Sequence, residues 1–279
     1  MGRKRLTQRF PFLLPVRVMQ RKMLFYAKMR LDGRRYAKTI DEERLPYQLF
    51  EAGCALYNGN TGFDMVYQKN KAYNLKLAAK TLNGLLIRPG ETFSFWRLVR
   101  YADKHTPYQD GLTVIDGKLT TAPGGGLCQM SNLLFWVFLH TPLTVTERTG
   151  HDVKEFPEPN NDEIKGVDAT ISEGWIDLKA RNDTDRTYQI AIAFDDENII
   201  ITVFADKRPQ VLYRVTNGSS EYTRENGGIM ESVQVVRAEI DPDTGETTGQ
   251  KLLYTNRCKI CYPLPESIEI KEAKNRWQD

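Results

Sequence analysis

The sequence predicts an α+β fold, in which N-terminal helices and a central helix beginning at Cys128 pack on a mainly antiparallel sheet. Helical periodicity is clearest in the first half of the chain, whereas alternation of apolar and polar residues dominates the second half. Short turns join several of the alternating segments, as expected for antiparallel neighbours. We divide the chain into a basic N-terminal arm (1–40), a core domain (41–207) and a strand-rich C-terminal extension (208–279).

The N-terminal arm carries most of the positive charge. Residues 1–35 contain eleven Lys or Arg and one acid, whereas the rest of the chain holds 28 basic and 35 acidic groups. Large apolar residues interleave with this charge, a pattern that suits the anionic inner face of a bacterial membrane. The alternatives are a solvated arm that packs some apolar residues on the body, or a segment that binds nucleic acid. Since no second basic patch is visible, we expect no nucleic-acid partner.

The arm lacks the features of a signal peptide. Its apolar stretch "FPFLLPV" is short, contains Pro11 and Pro15, and is followed by more Arg and Lys. The longest apolar run, over residues 133–139, is much shorter than the roughly 20 residues of a membrane-spanning helix. The four cysteines are too few for a disulfide framework. We therefore expect a cytoplasmic protein that can lie at the inner face of the membrane.

The core domain opens with helical and strand patterns in turn. Residues 41–57 mix apolar and charged side chains without a clear period. The clearest helical spacing runs over residues 70–87, with apolar side chains at i, i+3, i+4 and i+7. A Pro-Gly turn at 89–90 leads into a predicted strand, in which Phe93 and Phe95 alternate with polar residues.

The remaining elements follow in order along the chain. They are a hairpin over 112–120 with its turn at Asp116-Gly117, a helix from the glycines at 124–126 to about Leu139, strands in "PLTVTER", "GVDATISEG" and "WIDLKARN", a hairpin over 188–206, and C-terminal strands in "QVLYRV", "ESVQVVRAEI" and "KLLYTNRCKICYPLP".

Cys128 is the first candidate for chemistry, because it opens an apolar helix directly after "PGGGL". A helix N-terminus favours the thiolate, which lowers the pKa of a cysteine. A glycine-rich turn can also point successive backbone amides at one anion. We therefore predict that Cys128 is an acyl-transfer nucleophile, and that the amides of Gly125, Gly126 and Leu127 hold the oxyanion.

A general base for Cys128 must come from three histidines. His105 lies in a polar loop, and His140 lies twelve residues along the same helix, roughly 18 Å away at about 1.5 Å per residue. His151 follows the next strand, so an antiparallel return can bring it back to the helix start. Asp168, on the strand after that, is the predicted partner that orients its ring.

A plainer interpretation of the same residues stays open. A cysteine at the start of an apolar helix is often buried and inert. The triple glycine can mark tight packing, and His151 can be an ordinary surface histidine.

Cys258 and Cys261 form a second cysteine pattern, C-x-x-C, in "NRCKICYPLP". A zinc site would need two further ligands, and Cys54 is the only other spare cysteine. A redox centre would begin a helix, whereas Pro263 and Pro265 follow here. We expect two reduced thiols, and no metal or cofactor.

Four motifs carry a family resemblance. "IRPGETFSFWRLV", "GGGLCQMSNLLFWVFLHTPLTVTER", "GVDATI" and "DLKARNDTD" together resemble the VanW family, over nearly the whole chain. The resemblance implies a link to glycopeptide resistance and to peptidoglycan, on whose stem peptides some extracytoplasmic relatives act as L,D-transpeptidases through the cysteine of GGGxCQ. Matched residue by residue, it implies Cys128 as nucleophile with Gln129 beside it.

The same match places His151 at the histidine of "ER-x-x-H" and Asp168 at the aspartate of "DAT". One departure is Thr149, which stands where relatives often carry a second histidine. We expect cysteine-dependent acyl transfer on peptidoglycan stem peptides or their precursors. The alternative is a non-catalytic module that binds the same peptides, with Cys128 as a packing residue.

Overall fold

The structure, a computed structural model, describes residues 10–115, 118–154 and 165–272. Within these ranges the helices are α1 (Leu14–Leu31), α2 (Met65–Ala79), α3 (Phe95–Val99) and α4 (Leu127–Leu139). The strands of the same ranges are β1 (Arg35–Tyr36), β2 (Thr39–Ile40), β3 (Tyr47–Ala55), β4 (Leu85–Ile87), β5 (Glu91–Ser94), β6 (Asp110–Ile115), β7 (Lys118–Pro123), β8 (Thr144–Glu147), β9 (Val153–Lys154), β10 (Lys179–Arg181), β11 (Tyr188–Phe194), β12 (Asn198–Ala205), β13 (Leu212–Glu225), β14 (Gly228–Ile240), β15 (Thr247–Ile260) and β16 (Ile270–Glu272).

The described strands form three larger sheets and a separate hairpin. The sheet orders are β1-β5-β10-β8, β2-β4-β11-β12-β3 and β16-β13-β14-β15-β9, and β6 pairs with β7. Neighbours are antiparallel except for three pairs that involve short strands, β1 with β5, β13 with β16 and β9 with β15. Helices set against mainly antiparallel sheets confirm the predicted α+β class.

Helix α4 lies at the centre of the core. Nine of its 13 residues are buried, and it contacts β3, β12 and helix α2. A helix that is apolar on nearly every side is expected to be enclosed by other elements. The helix predicted to run from the triple glycine to about Leu139 is therefore confirmed.

The helix predicted over residues 70–87 is right only in its first part. Helix α2 begins earlier, at Met65, and ends at Ala79. The last residues of the predicted helix instead form β4, which is wholly buried and pairs with β11. Gly84, at φ +80°, turns the chain between α2 and β4. A short apolar run fits a buried strand as well as a helix, which is why the sequence pattern misplaced this boundary.

Three further segments differ from, or add to, the prediction. The strand predicted around Phe93 ends at Ser94, whose hydroxyl accepts a hydrogen bond from the Arg97 amide at 3.3 Å and caps α3. The unassigned segment 41–57 contains β3, which pairs with β12. "GVDATISEG" makes only isolated bridges, one of them between Thr149 and Thr170.

The predicted hairpins and C-terminal strands are confirmed. The first hairpin is β6-β7, although its predicted turn at Asp116-Gly117 lies outside the described residues. The second is β11-β12, and the long strands β13, β14 and β15 form the C-terminal meander.

The described part of the N-terminal arm is mainly α1, which lies on the body. Tyr26 and Met29 are its buried residues, and the Tyr26 hydroxyl donates to Glu173 at 2.8 Å. The guanidinium of Arg100 lies 3.8 Å from the centre of the Tyr26 ring. In the part of the chain that the structure describes, no helix is both long and apolar enough to cross a membrane.

The C-terminal strands share apolar contacts with the rest of the chain. Val215 and Val235 belong to the same buried cluster as α4. Arg237 donates to the carbonyl of Thr141 at 3.1 Å. The domain boundary predicted at residue 207 stays a prediction. These contacts show that residues before and after position 207 contribute to the same apolar core.

Candidate functional site

The glycines before α4 are required by close packing and by their backbone conformation. Gly124 and Gly126 have φ of +77° and +94°, in the left-handed region that favours glycine. A Cβ on Gly125 would lie 2.1 Å from the carbonyl oxygen of Gly111, so two backbone segments meet there. A Cβ on Gly126 would lie 2.1 Å from Cγ of Lys71. Tight packing alone therefore explains "GGG".

The three backbone amides predicted to bind the oxyanion differ in whether they already donate a hydrogen bond within the protein. The Gly125 amide donates to the carbonyl of Ala122 at 3.0 Å, so it closes a turn. The oxyanion role predicted for Gly125 stays a prediction, and it requires this turn hydrogen bond to be shared or broken. Gly126 and Leu127 lie at the start of α4, where helix amides have no acceptor within the helix. Their role stays a prediction.

Cys128 lies in the first turn of α4 and is half-buried against the core. Its Sγ lies 3.8 Å from Thr170 Oγ1 and 3.9 Å from the carbonyl oxygen of Ile171. Burial raises the pKa of the thiol, and the negative charge of Asp168 acts in the same direction. This direction is opposite to the lowered thiol pKa predicted from the helix N-terminus, because burial disfavours the charged thiolate.

Two neighbours of Cys128 on α4 form hydrogen bonds to the backbone of the segment 168–171. The Ser131 hydroxyl donates to the carbonyl of Ala169 at 2.6 Å, and Asn132 Oδ1 accepts from the Ala169 amide at 2.8 Å. Both residues share the helix face of Cys128, as the i+3 and i+4 spacing predicts. These two hydrogen bonds position the start of α4 relative to residues 168–171.

His151 and Asp168 are paired as predicted from the order of the strands. His151 Nδ1 lies 2.6 Å from Asp168 Oδ2, and the His151 backbone amide donates to the same oxygen at 2.7 Å. A carboxylate accepts, so Nδ1 donates this hydrogen bond, and Nε2 is the ring nitrogen left for proton transfer. The His151 side chain is 40% exposed, which leaves the ring accessible.

Arg148 completes the environment of Asp168. Its Nη2 donates to Asp168 Oδ1 at 2.7 Å and to Asn256 Oδ1 at 3.0 Å, and its Nε donates to the Asp168 carbonyl. The guanidinium also lies 4.8 Å from the centre of the Tyr254 ring. Burial raises the pKa of the Asp168 carboxyl, but the His151 hydrogen bonds and the Arg148 charge outweigh it, so the pKa falls below its ordinary value.

Cys128 and the His151–Asp168 pair lie along one pair of backbone segments. Thr149 and Thr170 are directly opposed, and opposed residues of antiparallel segments point to the same face. Thr170 contacts the thiol, and Asp168, two positions away on the same segment, contacts the imidazole. Positions i and i+2 of a strand are about 7 Å apart. Among the described residues, no hydrogen bond joins Cys128 to His151.

Comparison with known proteins identifies the family. A family model described as "VanW like protein" matches residues 70–204, which include Cys128, His151 and Asp168. The vancomycin B-type resistance protein VanW of Enterococcus faecalis is 73% identical over 273 residues, covering 98% of this chain and 99% of that protein. The chain belongs to the VanW family.

A second relative is more distant. The uncharacterized protein YoaR of Bacillus subtilis is 29% identical over 139 residues, covering 49% of this chain and 44% of that protein. No solved structure matches the chain. The resemblance inferred from the four motifs is confirmed, and it extends over nearly the whole chain.

Gln129, which follows Cys128, connects α4 to β3 through hydrogen bonds of its side-chain amide. Its Nε2 donates to the carbonyl of Ala55 at 2.6 Å and contacts Cys54 Sγ at 3.1 Å. Its Oε1 is buried and has no hydrogen-bond partner among the described residues. A substrate-binding role for Gln129 stays a prediction, and in this structure its amide group contributes to packing.

The other histidines lie away from the site. His105 is exposed in the loop before β6. His140 is buried at the end of α4, with Nδ1 3.0 Å from the carbonyl oxygen of Trp136 and its ring stacked on Phe50 at 3.7 Å. Burial lowers the pKa of His140 to about 4. His151 is therefore the histidine whose partner, Asp168, lies on the same segment as Thr170, which contacts Cys128.

Cys258 and Cys261 have different surroundings. Cys258 is buried with its Sγ 3.6 Å from Glu231, and burial raises its pKa to about 12, whereas Cys261 is exposed. Across the described ranges, no group of three or more His, Cys, Asp or Glu residues could hold a metal ion. The pair is best described as two free thiols.

The sequence patterns did not reveal Arg148 or Thr170 as part of the site. The signal for Arg148 was indirect, since a buried Asp168 requires a cation or several donors. Thr170 carried no signal, because its contact with Cys128 depends on how α4 meets residues 168–171.

Proposed function

We propose that this VanW-family protein contributes to vancomycin resistance by cysteine-dependent acyl transfer on peptidoglycan stem peptides or their precursors. The first support is the 73% identical relative, which is named as a vancomycin B-type resistance protein. The observation that carries the chemical part is the His151–Asp168 hydrogen bond of 2.6 Å, on the same pair of segments as the Cys128 contact with Thr170.

In the proposed reaction, Cys128 Sγ attacks a peptide carbonyl carbon as His151 Nε2 removes the thiol proton. A C–S bond forms, the C–N bond breaks, and the departing amine takes the proton back from His151. An acceptor amine then attacks the thioester and releases the thiol. Asp168 holds the imidazole and stabilises its charged form, and Arg148 holds Asp168.

The resting thiol is neutral because burial raises its pKa. Substrate must therefore bring Cys128 and His151 closer than they are in the free protein. Catalytic hydrogen bonds are often long before substrate binds and tighten in the complex. In the proposed complex the Cys128 side chain rotates away from Thr170 and toward His151.

The test uses the full chain with synthetic stem tetrapeptide and pentapeptide, followed by intact-mass and peptide mass spectrometry. We expect an acyl adduct on Cys128 that Cys128→Ala abolishes. His151→Asn keeps a donor for Asp168 but removes the base, so the adduct should form at least about a hundredfold more slowly. Cys261→Ala, at an exposed thiol, is the matched control and should leave the adduct unchanged.

A non-catalytic binding module is the second candidate, and one observation favours it. Among the described residues Cys128 is hydrogen-bonded to Thr170 and Ile171 and not to His151, as expected for a packing residue. Calorimetry with the same peptides separates the two. Binding without an adduct, equal in the wild type and in Cys128→Ala, supports the module. If the peptides neither bind nor form an adduct, both candidates are contradicted.

The expected location determines which substrate is available. A cytoplasmic chain would meet peptidoglycan precursors in the cytoplasm or at the inner leaflet, whereas an exported chain would meet the cross-linked wall. We propose the precursor, because the basic N-terminal arm favours the inner leaflet. Fractionation of cells that express the full chain tests this, and recovery outside the cytoplasmic membrane would contradict it.

A further inference from the structure

The exposed large apolar side chains are concentrated at one place on the molecule. Of the 19 that the described residues expose, eight lie between Phe10 and Leu31. The remaining eleven are spread over more than 200 residues, as single exposed apolar side chains usually are. A cluster of this kind marks a surface that another molecule or a membrane covers.

Within α1 the exposed apolar residues follow the helix period. Val16, Met19 and Met23 recur at i, i+3 and i+7 and are 58%, 59% and 65% exposed. Tyr26, at i+7 from Met19, continues this stripe but is buried against the body, as is Met29 on another face of the helix. The helix is thus fixed by Tyr26 and Met29, while Val16, Met19 and Met23 stay open to solvent.

Basic residues share the helix face of another exposed apolar residue, Leu24. Arg17, Arg21 and Lys28 recur at i, i+4 and i+11, and all three are exposed. None of them forms an ion pair with a residue that the structure describes, and α1 itself contains no acid. Lys22 is different, because it pairs with Glu173 of the body. Exposed apolar residues together with unpaired cations are typical of helices that lie in an anionic lipid surface.

Trp175 extends the surface from the helix to the body. Its side chain is 67% exposed, and the guanidinium of Arg21 lies 5.6 Å from the ring centre. Exposed tryptophan is favoured at the level of lipid headgroups, where its ring is half in apolar surroundings. Trp175 is also four residues from Ile171, whose carbonyl contacts Cys128.

We propose that α1 and Trp175 form a docking surface for an anionic lipid bilayer. We call this surface the α1–Trp175 face. Its apolar residues enter the headgroup region while Arg17, Arg21 and Lys28 contact lipid phosphates. A nucleic acid would use the cations but leave the exposed Met, Val and Leu side chains in water. This inference does not depend on any reaction at Cys128.

The test is sedimentation of the full chain with vesicles of phosphatidylcholine alone, or mixed with phosphatidylglycerol. We expect binding to the mixed vesicles, weaker binding at higher salt, and little binding to phosphatidylcholine. The fluorescence of Trp175 should shift to shorter wavelength on binding, and Trp175→Phe should remove that shift.

A matched pair of double variants isolates the face. Arg17→Glu with Met19→Glu changes α1, and Lys251→Glu with Leu252→Glu makes the same charge change at an exposed apolar residue of β15. We expect the first to lose at least about tenfold in vesicle affinity and the second less than about twofold. Equal losses would overturn the proposal.

Two other outcomes would also overturn it. A chain that does not bind mixed vesicles, but forms a dimer that the α1 variant abolishes, would make the face a self-association surface. Binding to nucleic acid that the α1 variant abolishes, without vesicle binding, would assign the cations to that partner instead.

Discussion

At Cys128 two local effects act in opposite directions on the same thiol. The start of α4 favours the thiolate, whereas enclosure by Thr170, Ile171 and the core favours the neutral thiol. Burial prevails and raises the thiol pKa. The position of a cysteine at a helix N-terminus therefore does not by itself determine its pKa.

Alkylation should show this difference directly. In the free protein, Cys128 should react with iodoacetamide at least about tenfold more slowly at pH 7 than the exposed Cys261, because less of it is thiolate and its access is limited. Peptide mass spectrometry at timed intervals measures both rates in one sample. Faster labelling of Cys128 would contradict the description of a buried neutral thiol.

Asp177 is a second residue whose burial controls its charge. It is wholly buried, accepts a hydrogen bond from Ser94 at 2.6 Å, and lies 3.9 Å from Lys179. Burial raises its pKa to about 6, against about 3.9 in an unfolded chain. The folded state therefore binds this proton more tightly than the unfolded state does.

The free energy of unfolding should respond accordingly. The contribution of Asp177 is fully present below about pH 4 and is lost as the pH rises through about 6. Asp177→Asn removes this dependence, so the variant should gain stability relative to the wild type between pH 4.5 and pH 7. Urea unfolding at both pH values measures the change. Asp196→Asn, at an exposed site, is the control and should not change how the free energy of unfolding depends on pH. If Asp177→Asn also leaves this dependence unchanged, the Asp177 carboxyl is already charged at pH 4.5 and the prediction is contradicted.

At the scale of elements, the contact between the β6-β7 hairpin and the loop before α4 sets the position of the helix start. Gly111 of β6 and Gly125 approach so closely that a Cβ on either would enter the backbone of the other. Asn74 of α2 also bonds to both segments, donating to the carbonyls of Gln109 and Gly125. The hairpin, α2 and the start of α4 thus form one packed unit.

Gly125→Ala should disrupt this unit. The added methyl group would meet a backbone oxygen that cannot move without shifting β6, so we expect a loss of about 3 kcal/mol or more in unfolding free energy. Gly59→Ala is the matched control, because its Cβ would have open space and the change should stay within about 0.5 kcal/mol. Chemical denaturation of both variants gives the comparison. A small effect at Gly125 would mean that the loop and hairpin separate readily.

At the scale of the whole molecule, the C-terminal meander and the core domain share one apolar core. Val215 and Val235 join the apolar cluster around α4, and Asn256 of β15 bonds to Arg148 in the candidate site. A family model that stops at residue 204 therefore leaves out a part of the chain that supports the site.

We expect one cooperative unfolding transition for the whole chain. Hydrogen exchange followed by mass spectrometry should show peptides of α4 and of β14 losing protection at the same urea concentration. The shared core is the reason, since opening the meander would expose apolar surface of both parts. Loss of protection in β14 at clearly lower urea would instead indicate separate folding units.

The sequence alone determined the parts that depend on neighbours in the chain. Periodicity placed α4 and both hairpins, and the order of strands paired His151 with Asp168 at 2.6 Å. The VanW motifs gave the family. These features could be predicted because each depends on local spacing or on the return of adjacent strands.

Only the tertiary structure decided the features that depend on distant segments. It made β3 and β4 strands by pairing them with β12 and β11, and it brought Arg148 and Asn256 together across 108 positions of sequence. It also enclosed Cys128 beside Thr170, which raises the pKa that the helix position alone would lower. Burial and long-range pairing depend on which surfaces meet, and residue spacing does not encode that choice.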